Sequence, residues 1–187
     1  MKNKLHSILG ASLLFSCLLF NLVSMPSALA TSAKKINTNV KESLYEFRKD
    51  VDGADEILSK ARGVLVFPHT YQGGIFFGGK YGEGALMVKG RTTNYYRLVA
   101  GSLGWQLGGQ RKSIIIAFMN DDVFDKFLRS EGWQFGADAG VTVITVGKEG
   151  SLNTQNINAP VLAFIVDQRG LMYNLSLEGT KVTKIKK

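Results

Sequence analysis

His69, Glu83, Asp138 and Glu178 are the side chains in this sequence best placed by type to do chemistry. His69 follows Pro68, and each of the three carboxylates sits beside glycines that could expose it to a ligand. Two carboxylates flanking a bond are the machinery of glycoside hydrolysis, but nothing in their spacing brings any two of these together. The competing duty is structural, because carboxylates in tight turns accept hydrogen bonds from backbone amides. A zinc site of the usual kind draws on several His and Cys ligands, and beyond residue 30 the sequence has one His and no Cys. A serine triad built on His69 would want a Gly-x-Ser-x-Gly elbow, which the sequence lacks. Gly108-Gly109-Gln110-Arg111-Lys112-Ser113 has the residue types of a phosphate loop. It lacks Walker spacing and leads into a strand instead of a helix. These residues assemble no catalytic site, and the expectation is a protein without enzymatic activity, cofactor or metal.

Cations are the remaining candidates. Lys60, Arg62, Lys80, Arg97, Arg111 and Lys112 fall near strand ends, where together they could hold the phosphate oxygens of an anionic lipid. Each contributes about 1 kcal/mol beside an anionic surface, so several must act together. Taken singly, each reads as a solvated surface charge, and Arg97, on the strand face of Val99 and Leu103, as a snorkelling side chain. The chain carries 23 basic and 15 acidic residues, a formal charge of +8. Lys2 and Lys4 precede residue 31, leaving 21 against 15, or +6, for the remainder. On charge alone, surplus lysines that merely keep the protein soluble explain this excess better than an acidic partner does.

The elements that must position these residues begin with a helical section. From Lys34 to Lys49, Ile36, Val40, Leu44 and Phe47 recur at helical spacing. Such a stripe either packs on its own domain or lies on a membrane. Asp52 is the expected cap of a second helix that carries Ile57, Leu58 and Ala61 and ends at Gly63. Strands are expected at Val64–Phe67, stopped by Pro68, and at Gly73–Phe77 and Ala85–Val88 around a glycine-rich turn over residues 78–84. Tyr95–Gln110 reads as one long strand in which Ser102, Gly104, Gln106, Gly108 and Gln110 share a face without bulk. Alternate glycines of that kind imply curvature or a closely approaching surface. Further strands are expected at Ser113–Met119 and Trp133–Val146, with a hairpin of Val161–Val166 and Leu171–Leu177. Asn120 begins a helix through Leu128. The fold class is α+β: a strongly curved, mostly antiparallel sheet or partly closed barrel, with an N-terminal helical section and one short internal helix.

Residues 1–30 read as a secretory signal peptide. Lys2 and Lys4 lead an apolar run from Ile8 to Val23, and Ala28-Leu29-Ala30 is a small-x-small cleavage pattern. A retained anchor is the alternative, although Ser12, Ser16 and Asn21 interrupt the run. Lipidation at Cys17 would need a small residue where Phe15 stands. Residues 31–187 then form a single domain, with helices over 34–61 and a core over 62–187. An exported protein, periplasmic or peripherally attached to the envelope membrane, is expected.

Six segments in order resemble the SYLF domain family. They are residues 60–68 (Lys-Ala-Arg-Gly-Val-Leu-Val-Phe-Pro), Tyr81-Gly82-Glu83-Gly84, residues 101–108 with Gln110, Met119-Asn120-Asp121, Gly136-Ala137-Asp138-Ala139 and Ser176-Leu177-Glu178-Gly179. The sequence departs from the family pattern at Ile144-Thr145 and Met172-Tyr173-Asn174. The resemblance implies a non-enzymatic domain that binds anionic phospholipid or acyl lipid at a membrane surface. It does not imply nucleic acid as a partner. Actin belongs to the family's eukaryotic members, and an exported protein would meet it only on delivery into a host cell. The competing readings are a structural or partner-binding periplasmic protein, an outer-membrane β-barrel and a hydrolase using Glu83, Asp138 or Glu178.

Overall fold

The computed structural model describes residues 31–187 apart from 74–76, 104–109, 139, 147–158, 170–176 and 178. The described chain is α+β, with three helices and an eight-stranded mixed sheet curled into a half-barrel. Helices α1 (Ala33–Asp50) and α2 (Ala54–Lys60) come first. Strands β1 (Gly63–Gly73), β2 (Phe77–Val88), β3 (Arg91–Leu103) and β4 (Gln110–Phe118) follow. Helix α3 (Asp121–Arg129) then precedes β5 (Trp133–Gln134), β6 (Thr142–Val146), β7 (Val161–Arg169) and β8 (Lys181–Ile185). The sheet order is β5-β8-β3-β2-β1-β4-β7-β6, antiparallel throughout except between β6 and β7.

Each central strand serves two cores. Ile115 lies in a cluster with Val64, Val66, Phe164 and the buried stripe of α1 (Ile36, Val40, Leu44, Phe47). Ile114 and Ile116 point the other way, toward Leu65, Phe67, Phe118 and the α3 residues Phe124 and Phe127. A strand covered on both faces loses polar alternation and becomes a continuous apolar run, which accounts for Ile114-Ile115-Ile116. The α1 stripe is therefore spent on packing. Ser32 caps that helix by accepting from Lys35 N–H, and Arg48 and Lys49 in the last turn meet its negative dipole end. Asn120 caps α3 in the same way through Val123 N–H.

Several boundaries differ from expectation. Gly53, in the left-handed region at φ 79°, precedes α2 in place of Asp52, and the helix ends at Lys60. Pro68 does not stop β1: the register shifts there, so the strand absorbs it as a bulge. The glycine-rich stretch over 78–84 is strand instead of turn. Gly84 is required beside that bulge, since a Cβ there would lie 2.1 Å from the Val66 carbonyl oxygen. The long strand ends at Leu103, and residues 104–109 lie outside the described residues. The second strand expected for the 161–177 hairpin falls mostly outside them too. Trp133–Val146 is two strands separated by a turn, and Lys181–Ile185 forms strand β8.

Candidate functional site

Beyond the helices, the sheet's far half carries polar residues on both faces. Strand alternation places Lys80, Gly82 and Gly84 on the face of Leu86, the α3 side, and Lys112 on that side with Ile114. Thr70, directly opposite Lys112 and Gly82, joins them. Lys80 is 9% exposed and Lys112 5%, both engaged by neighbouring groups. Asp167 of β7 is the register partner of Lys112. Thr70 Oγ1 is buried and has no hydrogen-bond partner among the described residues. A Cβ at Gly82 would stand 3.1 Å from that oxygen and 3.1 Å from the His69 carbonyl oxygen, so a side chain there would crowd Thr70. Burial, and then the charge of Lys112, holds the Lys80 ammonium below the ordinary lysine range. Two buried lysines therefore share this face with an unsatisfied hydroxyl, and the charge of one disfavours the charged form of the other.

The opposite face carries Tyr81, Glu83 and Arg97, continuing the side of Ala85 and Tyr95. Glu83 is 7% exposed. Its Oε2 accepts from Lys187 Nζ at 2.9 Å and from Thr31 N–H at 2.9 Å, and its Oε1 accepts from Tyr81 OH at 2.9 Å. Burial alone would raise its pKa, but the donors from Lys187, Thr31 and Tyr81 together outweigh it and hold the carboxyl below the usual range. Tyr81 is pushed up, by burial first and then by Glu83. Along the same face, Tyr71, Tyr81, Val99 and Lys181 are successive register neighbours on four strands. Tyr71 and Val99 are exposed at 54% and 45%. Between α1, α2 and the start of β1 lies a cavity of about 530 Å³, lined by Leu44, Leu58, Ala61, Val64 and Met87 with Arg48 and Lys89 at its edge.

Among the described side chains of the six cations singled out in the sequence, the fold brings Lys80 and Lys112 together. Lys60 pairs with Glu56 and Arg62 with Asp121, both pairs exposed. Arg97 is exposed on the other face, opposite Glu83 in the register. Arg111 stands in β4 as the register partner of Tyr71, and its side chain lies outside the described residues. Asp138 has the structural duty expected of it, accepting from Gln134 N–H across a turn. Glu178 lies outside the described residues. His69 and Glu83 are register partners, a juxtaposition that spacing conceals because the Pro68 bulge changes the phase of β1. The same phase change hides Thr70.

Residues 99–187, from the middle of β3 through β8, match the family described as "Las17-binding protein actin regulator" (Ysc84). Over those residues the chain is similar to the SYLF family. The SYLF match contains Lys112 and Lys187, while Thr70, Lys80 and Glu83 lie before it and join it through strand register. Among similar proteins is "Beta cell expansion factor A" of Aeromonas veronii, 25% identical over 154 residues. That similarity covers 78% of this chain and 54% of the relative, so the chain spans about half the length of the curated relative it matches. The SYLF family is one of binding domains, with a lipid- or actin-related character.

Proposed function

We propose that this SYLF-like domain is a non-enzymatic, exported binding protein for anionic phospholipid, periplasmic or peripherally attached to the envelope membrane. The observation that carries the reading is the pairing of buried Lys80 and Lys112 with the unpartnered Thr70 hydroxyl. A head-group phosphate beside the two ammonium groups would add negative charge where Lys112 disfavours the charged form of Lys80. It would also accept from Thr70, a hydrogen bond to a charged group worth roughly 1.5–3 kcal/mol. The row of Tyr71, Tyr81, Val99 and Lys181 combines the amphipathic rings and cation found at membrane interfaces. No described helix is long and apolar enough to cross a membrane. Helices cover apolar clusters on both faces of the sheet, which favours a peripheral domain over a lipid-exposed barrel.

The test is co-sedimentation of the processed protein with vesicles of phosphatidylglycerol or of phosphatidylcholine, at low and high salt. Binding to the anionic vesicles alone is expected, weakened at high salt as screening shortens toward 3 Å near 1 M. The Lys80→Met/Lys112→Met variant should bind at least about tenfold less, the equivalent of 1.4 kcal/mol. Absence of binding to anionic vesicles refutes the function, and unchanged binding by the double variant refutes the site.

A further inference from the structure

The group that ties Thr31 to Glu83 is a backbone nitrogen, and its position in the sequence gives it a second chemical form. Thr31 directly follows Ala28-Leu29-Ala30, the small-x-small pattern at which an exported chain is cut. Its nitrogen lies 2.9 Å from Glu83 Oε2. One residue later Ser32 caps α1, so the helix begins immediately after this contact. The compact unit runs from Thr31 to Lys187, and its first residue is the one that cleavage would expose.

We infer that hydrolysis of the Ala30–Thr31 bond completes the Glu83 cluster, making the new amino terminus a structural component of the mature domain. The inference rests on the export reading. A membrane-associated peptidase cleaves the C–N bond. Water supplies oxygen to the Ala30 carbonyl carbon and protons to the Thr31 nitrogen, leaving a carboxylate on the leader and an ammonium on Thr31. An amide N–H with one proton thereby becomes a cation with three, at an acceptor already in place. Glu83 is suited to that cation: its carboxylate is buried, charged and held by Lys187 and Tyr81 in β2. It lies in the sheet while Thr31 precedes α1, so the bond pins the helix start to the strand. Arg97, opposite Glu83, and Lys187, on the same oxygen, are the other cations facing the group. The ammonium therefore shares the carboxylate with Lys187, and its gain is that of a charge-assisted hydrogen bond beside a competing cation.

The experiment compares three forms. The first is the protein exported and processed from the full-length sequence, whose intact mass and amino-terminal sequence should begin at Thr31. The second is the same chain with Gly-Ser ahead of Thr31, and the third is the processed chain acetylated at the Thr31 nitrogen. Both altered forms keep the amide N–H and lack the charge. The processed chain should melt roughly 3–8 °C above the other two, which should agree with each other. Equal melting of all three overturns the structural role of the terminus while leaving export standing. An amino terminus elsewhere overturns the cleavage site, and a chain recovered uncut overturns the export reading on which the inference rests.

Discussion

Replacing Glu83 by Gln and Lys187 by Met, separately and together, measures what the buried ion pair contributes. The two side chains are 4% and 9% exposed, with 2.9 Å between nitrogen and oxygen. At that separation and an effective dielectric near 20, the attraction is on the order of 6 kcal/mol. Desolvating each ion costs several kcal/mol, so the intact pair is close to neutral overall, but removing one partner costs about 3–5 kcal/mol. Glu83→Gln belongs at the upper end of that range. It strands the Lys187 ammonium and turns an acceptor into a donor facing Thr31 N–H or Tyr81 OH. Lys187→Met belongs at the lower end, since Thr31 and Tyr81 still satisfy the carboxylate. For a domain of this size each kcal/mol shifts Tm by roughly 2–4 °C, giving losses of about 6–20 °C. The double variant should lose less than the sum of the singles, and urea unfolding would read the difference as coupling. The pH dependence follows the sign of the shift. Glu83 has a folded-state pKa below its ordinary 4.5. Its contribution is thus present above that value and is lost as pH falls through the folded one. Glu83→Gln should lack that part of the acid limb. Strictly additive singles, or single losses within about 0.5 kcal/mol of zero, would refute the reasoning.

Gly84→Ala should destabilise by about 1–3 kcal/mol or more, because its Cβ would press on the backbone of the β1 bulge; denaturant midpoints check this. Phe127→Ala should cost about 3–5 kcal/mol in urea unfolding. That ring is 1% exposed and meets Tyr96, Phe118 and Trp133 with centroids 5.1, 4.6 and 5.7 Å away. Binding of anionic vesicles should weaken as pH rises before the ordinary lysine value of 10.5 is reached, because Lys80 releases its proton early. A titration by co-sedimentation would show this midpoint displaced downward from that of a surface lysine.

The α1 stripe and the Asn120 cap were legible because each depends on local periodicity or a single side chain. The two-faced core could be read from Ile114-Ile115-Ile116, since continuous apolar runs need cover on both sides. The bulge at Pro68 was not legible. A proline between apolar residues reads as a strand end, and only the neighbouring strand reveals that pairing resumes at His69 and Thr70. That one phase change explains why Thr70 and the Glu83–His69 pairing escaped sequence reasoning, and why the glycines of β2 looked like a turn. Lys80 and Lys112 had the right type from the start, but their shared face is a property of register. Lys187 was hidden because its acceptor lies far away in sequence.

The position of β8 between β3 and β5 also governs the timing of assembly. Tyr95 through Val99 must await residues 181–185 before their hydrogen bonds close, so the sheet acquires its full width only when a late segment inserts. Pairings of such high sequence separation form slowly, because loop closure precedes any gain from contact. A chain synthesised from its amino end consequently spends its early life unable to complete the sheet. Under the export proposed above, that delay would keep the chain extended while it is threaded through a membrane pore.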